Sequence, residues 1–251
     1  MMDLTDQELM RYSRQILLTE VDVAGQLALK QSTVLIVGLG GLGAPVSLYL
    51  AAAGVGALYL ADFDQVDESN LQRQIIHDSL GVGQSKVASA MQKLQALNPL
   101  VKLTGLTEVM DDDSLLNVIS SVDVVVDCTD NFQTREAINK ACVLAKKPLV
   151  SGAAIRLSGQ VSVFDTREPN GPCYHCLYGA GEDEALTCSE AGVLGPLVGT
   201  VGSVQALETI KLLTNIGQGL SGRLLLLDAL NTRFREVRVK KDPLCAVCSD
   251  G

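Results

Sequence analysis

The chain has no tryptophan, and aromatic residues of any kind make up only 4% of its 251 positions. Aliphatic side chains must therefore build the core. A positive mean hydropathy of +0.24 implies that they are extensively buried, in a packed sheet, an oligomer interface or both. Cations are scarce too: 20 Lys and Arg stand against 29 Asp and Glu, a formal net charge of −9. That deficit excludes a general nucleic-acid binder, which needs surplus cations on one face, so any bound polyphosphate must be met by a few locally placed ones. No long apolar run is uninterrupted. The most apolar tract, 193–213, contains Pro196, Glu208 and Lys211, which predicts a buried helix and no membrane span. No N-terminal stretch joins basic residues to an apolar run, so no secretory signal is expected. Nor is a disulfide framework indicated. Seven cysteines are an odd number, and four of them form two CxxC pairs, which suits metal binding in a reducing cytoplasm.

What is present reads as alternating strands and helices. Residues 6–18 carry apolar Leu9, Met10, Ile16 and Leu17 among polar residues and read as an amphipathic helical arm. Thr33 to Val37 is a β-branched run that ends in Gly38-Leu-Gly-Gly-Leu-Gly43 and continues as a helix to Ala53. Strands are expected at 57–61, 101–106, 123–127 and 148–151, with helices at 84–97, 111–120 and 131–146 between them. This is the pattern of a Rossmann-like, mostly parallel sheet covered by helices on both faces. Past Gly152 the pattern changes: extended segments at 159–164, 224–227 and 234–239 would add antiparallel strands to the same sheet, and 192–213 reads as a long helix. With neither repeats nor a low-complexity linker, one domain is expected over 1–251: a helical arm (1–30), a nucleotide-binding half (31–152) and a second half (153–251).

Gly38, Gly40 and Gly43 satisfy GxGxxG in the strand-turn-helix setting that gives the motif meaning, because glycine lets phosphate oxygens approach the amides of the helix N-terminus. The bland alternative is that they only allow close packing. Asp62, ending the next strand, stands where an acceptor for ribose hydroxyls is expected. Arg73, within Ser69-Asn-Leu-Gln-Arg-Gln74, and Lys86, opening the following helix, are placed to neutralise phosphates, although each alone could be a solvated surface charge. Asp130, just past an apolar strand, suits Mg²⁺, or equally well caps the helix that begins near Asn131. Cys173, Cys176, Cys245 and Cys248 would supply four thiolates to a closed, structural zinc site that fastens the tail to the body, with redox pairs as the alternative and His175 as a bystander. Cys128 and Cys142 read as inert core. Cys188, in a polar stretch, is either an ordinary loop thiol or a nucleophile.

Taken together, Arg11 to Gln15, Gly38 to Gly43, Ser69 to Gln74, Asp127 to Asn131, Ser151 to Ala154, both CxxC pairs and Cys188 resemble the MoeB/ThiF family of E1-like adenylyltransferases over almost the whole length. The resemblance implies ATP-dependent adenylation of the C-terminal glycine carboxylate of a ubiquitin-like sulfur carrier, with release of pyrophosphate. It implies that Gly41 and Asp62 bind the nucleotide, with Ser69, Asn70, Leu71, Gln72, Arg73, Lys86 and Asn131 around it and Asp130 on Mg²⁺. It further implies that Arg14 reaches across a homodimer into the neighbouring site, that residues 153–251 meet the carrier, that Cys188 can bond covalently to it, and that sulfur comes from another protein. Ser151 to Arg156 with Gly159 and Gln160 look more like the MoeB branch, which acts on MoaD in molybdenum cofactor synthesis. Arg11 to Leu18 are also similar to ThiF, whose carrier is ThiS in thiamine synthesis. The remaining rivals are an NAD-dependent oxidoreductase that happens to hold zinc, and a noncatalytic scaffold for a carrier.

Overall fold

The computed structural model describes residues 3–168, 170–179 and 192–249. Eight strands form one sheet: β1 (Thr33–Val37), β2 (Ala57–Ala61), β3 (Lys102–Leu106), β4 (Val124–Asp127), β5 (Leu149–Ile155), β6 (Ser158–Phe164), β7 (Arg223–Asp228) and β8 (Arg233–Arg238). Their spatial order is β3-β2-β1-β4-β5-β6-β7-β8. The first five are parallel and the last three antiparallel, as the change of pattern after Gly152 predicts. β5 runs on through Gly152 to Ile155, four residues past its expected end. There Ala153 and Ala154 pair with Gln160 and Gly159 of β6, a hairpin partner that only the fold supplies.

The β-branched run of β1 is buried because its alternate residues face two different layers. Val34 and Ile36 face helices α3 (Asp22–Gln31), α4 (Gly43–Ala53), α5 (Lys86–Leu97) and α9 (Gly195–Thr214). Leu35 and Val37 face α6 (Asp112–Ser120) and α7 (Phe132–Ala145). Such burial stabilises by roughly 1.5–3 kcal/mol per large aliphatic side chain. At the far edge β8 is exposed throughout, and its charged Arg233, Arg235, Glu236 and Arg238 discourage edge-to-edge pairing.

The arm differs from the single helix expected at 6–18. It is broken into α1 (Asp6–Arg11) and α2 (Ser13–Ile16) at Tyr12, whose φ of −99° and ψ of 10° leave the helix. The ring turns inward instead. It packs on Gly54 at the C-terminus of α4, where an added Cβ would lie 2.4 Å from the Tyr12 ring, and its hydroxyl accepts a hydrogen bond from Asn98 Nδ2 at 2.8 Å. α9 begins at Gly195 and not at Gly192, with Pro196 in its first turn. Among the described residues no helix is long and apolar enough to cross a membrane.

Candidate nucleotide site and cysteine cluster

β1 connects to β2 on one side of the sheet and its other neighbour is β4, so the chain reverses its winding between β1 and β4. The crevice at the carboxyl ends of two such strands is where open α/β sheets take ligands. The glycine turn fills one side of it. Gly38 has φ +92°, and a Cβ there would meet the Cys128 carbonyl oxygen at 2.7 Å; a Cβ on Gly43 would lie 1.9 Å from the Gly38 carbonyl oxygen. Both glycines are therefore required for packing. A Cβ on Gly41 would press on Val198 of α9, whereas among the described residues a Cβ on Gly40 would meet only the flexible Gln74 amide within 4 Å, which leaves room for a ligand there.

Between these glycines the Leu39 peptide is gripped from both sides. Its N–H donates to Asp62 Oδ2 at 2.7 Å, and Asp62 Oδ1 accepts from the Asp64 N–H at 2.9 Å. Its carbonyl oxygen is 3.0 Å from His77 Nε2, while His77 Nδ1 is 2.9 Å from Ser89 Oγ. A carbonyl can only accept, so Nε2 carries the proton and Nδ1 accepts from the serine hydroxyl. Burial holds the His77 pKa below its ordinary value, which keeps that tautomer neutral. Sequence reasoning missed His77; its only signal is a histidine three residues after Gln74 in a chain with two.

The Ser69 to Gln74 segment begins within a single 3₁₀ turn (Glu68–Asn70) capped by Asp67. Arg73 Nη2 donates to Asn70 Oδ1 at 2.8 Å, and Nη1 to Gln72 Oε1 at 3.1 Å and the Ser69 carbonyl at 3.3 Å. These partners are all neutral, and among the described residues no carboxylate pairs with Arg73. Leu71 is half-buried beside it. Lys86 opens α5 as expected, but the alternative of a solvated charge is overturned: it is buried, and its Nζ pairs with Asp64 Oδ2 at 2.7 Å. The chain from Leu39 through Asp62 and Asp64 to Lys86 thus ties this cation to the glycine turn.

On the other side of the crevice β4 ends in Asp127, which is fully buried. Its Oδ1 accepts from the Thr129 N–H and hydroxyl at 3.0 and 2.6 Å, and its Oδ2 accepts from Ser151 Oγ at 2.7 Å. The cap of α7 is Asn131, whose Oδ1 accepts from the Thr134 N–H at 2.9 Å. Asp130 is therefore not the cap. Its carboxylate is exposed and has no hydrogen-bond partner among the described residues.

Arg14 is not brought to this crevice. It is exposed on α2, and the adjacent Gln15 donates through Nε2 to the Ala53 carbonyl at 3.1 Å. Ala53 is at the opposite end of α4 from Gly43, about 15 Å away at 1.5 Å per residue. Cys188 lies outside the described residues. Cys128 and Cys142 are buried; burial pushes both thiols up, so neither is a nucleophile.

The four CxxC cysteines converge. Cys173 precedes the short helix α8 (Tyr174–Tyr178), Cys176 lies within it, and Cys245 and Cys248 come from the tail. Their sulfurs all lie within 4.8 Å of one another, with separations of 3.8 Å (173 to 176), 3.6 Å (173 to 245) and 3.4 Å (176 to 248). A tetrahedron with zinc–sulfur bonds near 2.3 Å has edges of about 3.8 Å, so the set fits zinc. N–H groups of Asp242 and Val247 point at the sulfurs of Cys176 and Cys245, as thiolate ligands need. Burial raises Cys173 and takes Cys248 up to about 11. At Cys245 burial is outweighed by backbone N–H donors from Val247 and Cys248, which bring it down to about 7. His175 bonds instead to Glu136 at 2.8 Å, a bystander to the sulfurs.

The chain is 51% identical to the molybdopterin-synthase adenylyltransferases of Salmonella typhimurium (strain LT2) and Escherichia coli (strain K12), over 99% of this chain and 99% of each of those. It is 47% identical to the adenylyltransferase and sulfurtransferase MOCS3 of Drosophila yakuba over 98% of its own length, but spans only 54% of that relative. Among solved structures, E. coli MccB with succinimide superposes with a TM-score of 0.86 at 23% identity, covering 98% of this chain and 75% of that one, and so shares the fold. The ThiF family model matches residues 12–247, and with that near-complete match the chain belongs to the ThiF family.

Proposed function

We propose that this chain is an adenylyltransferase that activates the C-terminal glycine carboxylate of a small MoaD-like sulfur carrier in molybdenum cofactor synthesis. The observation that carries the chemistry is the placement, at the carboxyl ends of β1 and β4, of a glycine turn tied through Asp62 and Asp64 to the buried Lys86 and of an exposed Asp130 that has no hydrogen-bond partner among the described residues. The carrier class rests on the whole-length identity with two molybdopterin-synthase adenylyltransferases.

In this reading a carboxylate oxygen of the carrier attacks the α-phosphorus of ATP. A phosphorus–oxygen bond forms, the bond to the bridging oxygen breaks, and pyrophosphate leaves with the electron pair. Two anions must meet, so the site has to offset their repulsion. Gly40 and Gly41 let phosphate oxygens approach the turn, and Asp62 both holds the Leu39 amide and offers acceptor capacity to a ribose. Ser69, Asn70, Gln72 and Asn131 line the rim, Arg73 offers a fork to the phosphates and Lys86 a point charge. Asp130 would hold a magnesium ion, which would supply further charge neutralisation there. The cysteine cluster, holding zinc, is structural, because four thiolates leave no open position. Residues 153–251 receive the carrier, an external donor supplies sulfur to the acyl-adenylate, and Cys188 enters no step of this scheme.

The working unit in this reading is a cytoplasmic homodimer. Arg14, next to Gln15 at the Ala53 end of α4 and so at the far end of that helix from its own glycine turn, is in this reading supplied to the site of a second copy. Exposed Leu17, Leu18, Tyr49 and Leu207 offer that copy an apolar contact. The test is carrier-dependent ATP–pyrophosphate exchange with MoaD-type and ThiS-type carriers offered in parallel. Exchange with the MoaD type is expected. Preference for the ThiS type reassigns the carrier, exchange with neither leaves a scaffold, and tight NAD binding without pyrophosphate release makes the chain an oxidoreductase.

A further inference from the structure

Nothing in the proposed chemistry uses Arg135, yet it is among the most committed side chains in the molecule. It sits in the first turn of α7 with its side chain only 11% exposed. One nitrogen, Nη2, donates to two backbone carbonyls, Thr129 in the loop after β4 and Gly152 in β5 at 3.2 Å. Its Nε faces the carboxylate of Asp127, itself 1% exposed, at 3.8 Å and makes no hydrogen bond of its own among the described residues. Burying a guanidinium costs far more than a surface ion pair returns, so the fold tolerates this only where the group fixes something.

What it fixes is the peptide on which Asp130 stands. Thr129 is held through its N–H and hydroxyl by Asp127 and through its carbonyl by Arg135. On the other flank Asn131 is held as the cap of α7. Asp130 thus carries an exposed carboxylate, without a hydrogen-bond partner among the described residues, on a backbone clamped from both sides. Resting on the adenylation reading above, we infer that Arg135 is a positioning residue that, with Asp127, holds the 127–131 loop so that the Asp130 carboxylate is presented to a divalent cation. The planar fork is required because it keeps Nη2 on both carbonyls while Nε faces Asp127, whereas the single nitrogen of a lysine could serve the carbonyls or the carboxylate but not both.

The discriminating variant is Arg135→Lys in the full-length protein, which keeps the charge and removes the fork. Two readouts are used: the Mg²⁺ concentration giving half-maximal exchange, and backbone hydrogen exchange measured peptide by peptide. The half-saturating Mg²⁺ should rise by about tenfold, with the rate at saturating Mg²⁺ within about twofold of wild type, since preorganisation is lost and not the ligand. Protection should fall in the 127–131 loop and hold in β1, β4 and α7. Unchanged Mg²⁺ dependence with unchanged loop protection overturns the inference. Protection lost across α7 and β4 together also overturns it, leaving only a structural role. Should Arg135→Lys fail to fold, the neutral pair Asp127→Asn with Arg135→Gln is read by the same measurements and the same criteria. A wild type inactive in exchange defeats the functional reading separately, and the loop protection of the variants then decides the positioning claim by itself.

Discussion

Replacing Gly43 by alanine adds one methyl group at the most crowded point of the glycine turn. The new Cβ would lie 1.9 Å from the Gly38 carbonyl oxygen and 2.8 Å from its carbon. Both are backbone atoms, so no rotamer change relieves the clash, and α4 must withdraw from the turn by about 1.5 Å to restore ordinary contact. Overpacking of this kind costs about 1–3 kcal/mol. For a chain of this size that lowers Tm by about 3–10 °C. The same withdrawal carries the amides of the turn away from a bound phosphate, and a displacement near 1 Å costs on the order of 100-fold in a site that works by positioning. Gly40→Ala is the control, because its Cβ would rest 3.5 Å from the Gln74 amide, an ordinary contact. Thermal denaturation and ATP titration by calorimetry on both variants separate packing from ligand approach. Gly43→Ala should lose stability and affinity together, Gly40→Ala affinity alone. Wild-type Tm and affinity in Gly43→Ala would refute the packing argument, and unaltered affinity in Gly40→Ala would remove it from the phosphate cradle.

Three further outcomes are expected. Chelation should lower Tm and release zinc, since the cluster fastens the tail to α8; a metal-free protein of unchanged Tm would refute the assignment. His77 has a pKa below its ordinary value of 6.5, so the unfolded chain binds the proton first: stability is full above about pH 6.5 and is lost as pH falls through the folded value. His77→Gln, which can still donate to Leu39 and accept from Ser89, should flatten that loss in melting curves between about pH 5 and 7, and parallel wild-type and variant curves would defeat the explanation. Inactive Arg14→Ala and Arg73→Ala proteins, mixed and reassorted, should recover about a quarter of wild-type exchange. Half the dimers would be mixed, and one of their two sites complete; no recovery would mean that sites are not shared.

The glycine turn and its flanking strand and helix could be read from sequence because neighbours within a few residues specify them: a β-branched run, then glycines where no Cβ fits. The cysteines could be read because thiolates in paired spacing have few other uses, although only the fold shows Cys173 beside Cys245, 3.6 Å apart across 72 residues. Spacing allowed Asp130 as a helix cap; the backbone instead gives that role to Asn131, a one-residue difference that α7's first hydrogen bond decides.

Composition and local pattern were sufficient for the order of elements except helices α3 and α8, for the switch to antiparallel strands after Gly152 and for the residue types able to meet phosphate or metal, because these depend on interactions between residues close in the chain. Tertiary structure alone chose the partners of Lys86, His77 and Asp127, and sent Arg14 away from its own crevice. A buried charge takes whatever opposite group the packed strands and helices bring beside it, and that neighbour is set by closure of the sheet, on which sequence separation carries no information.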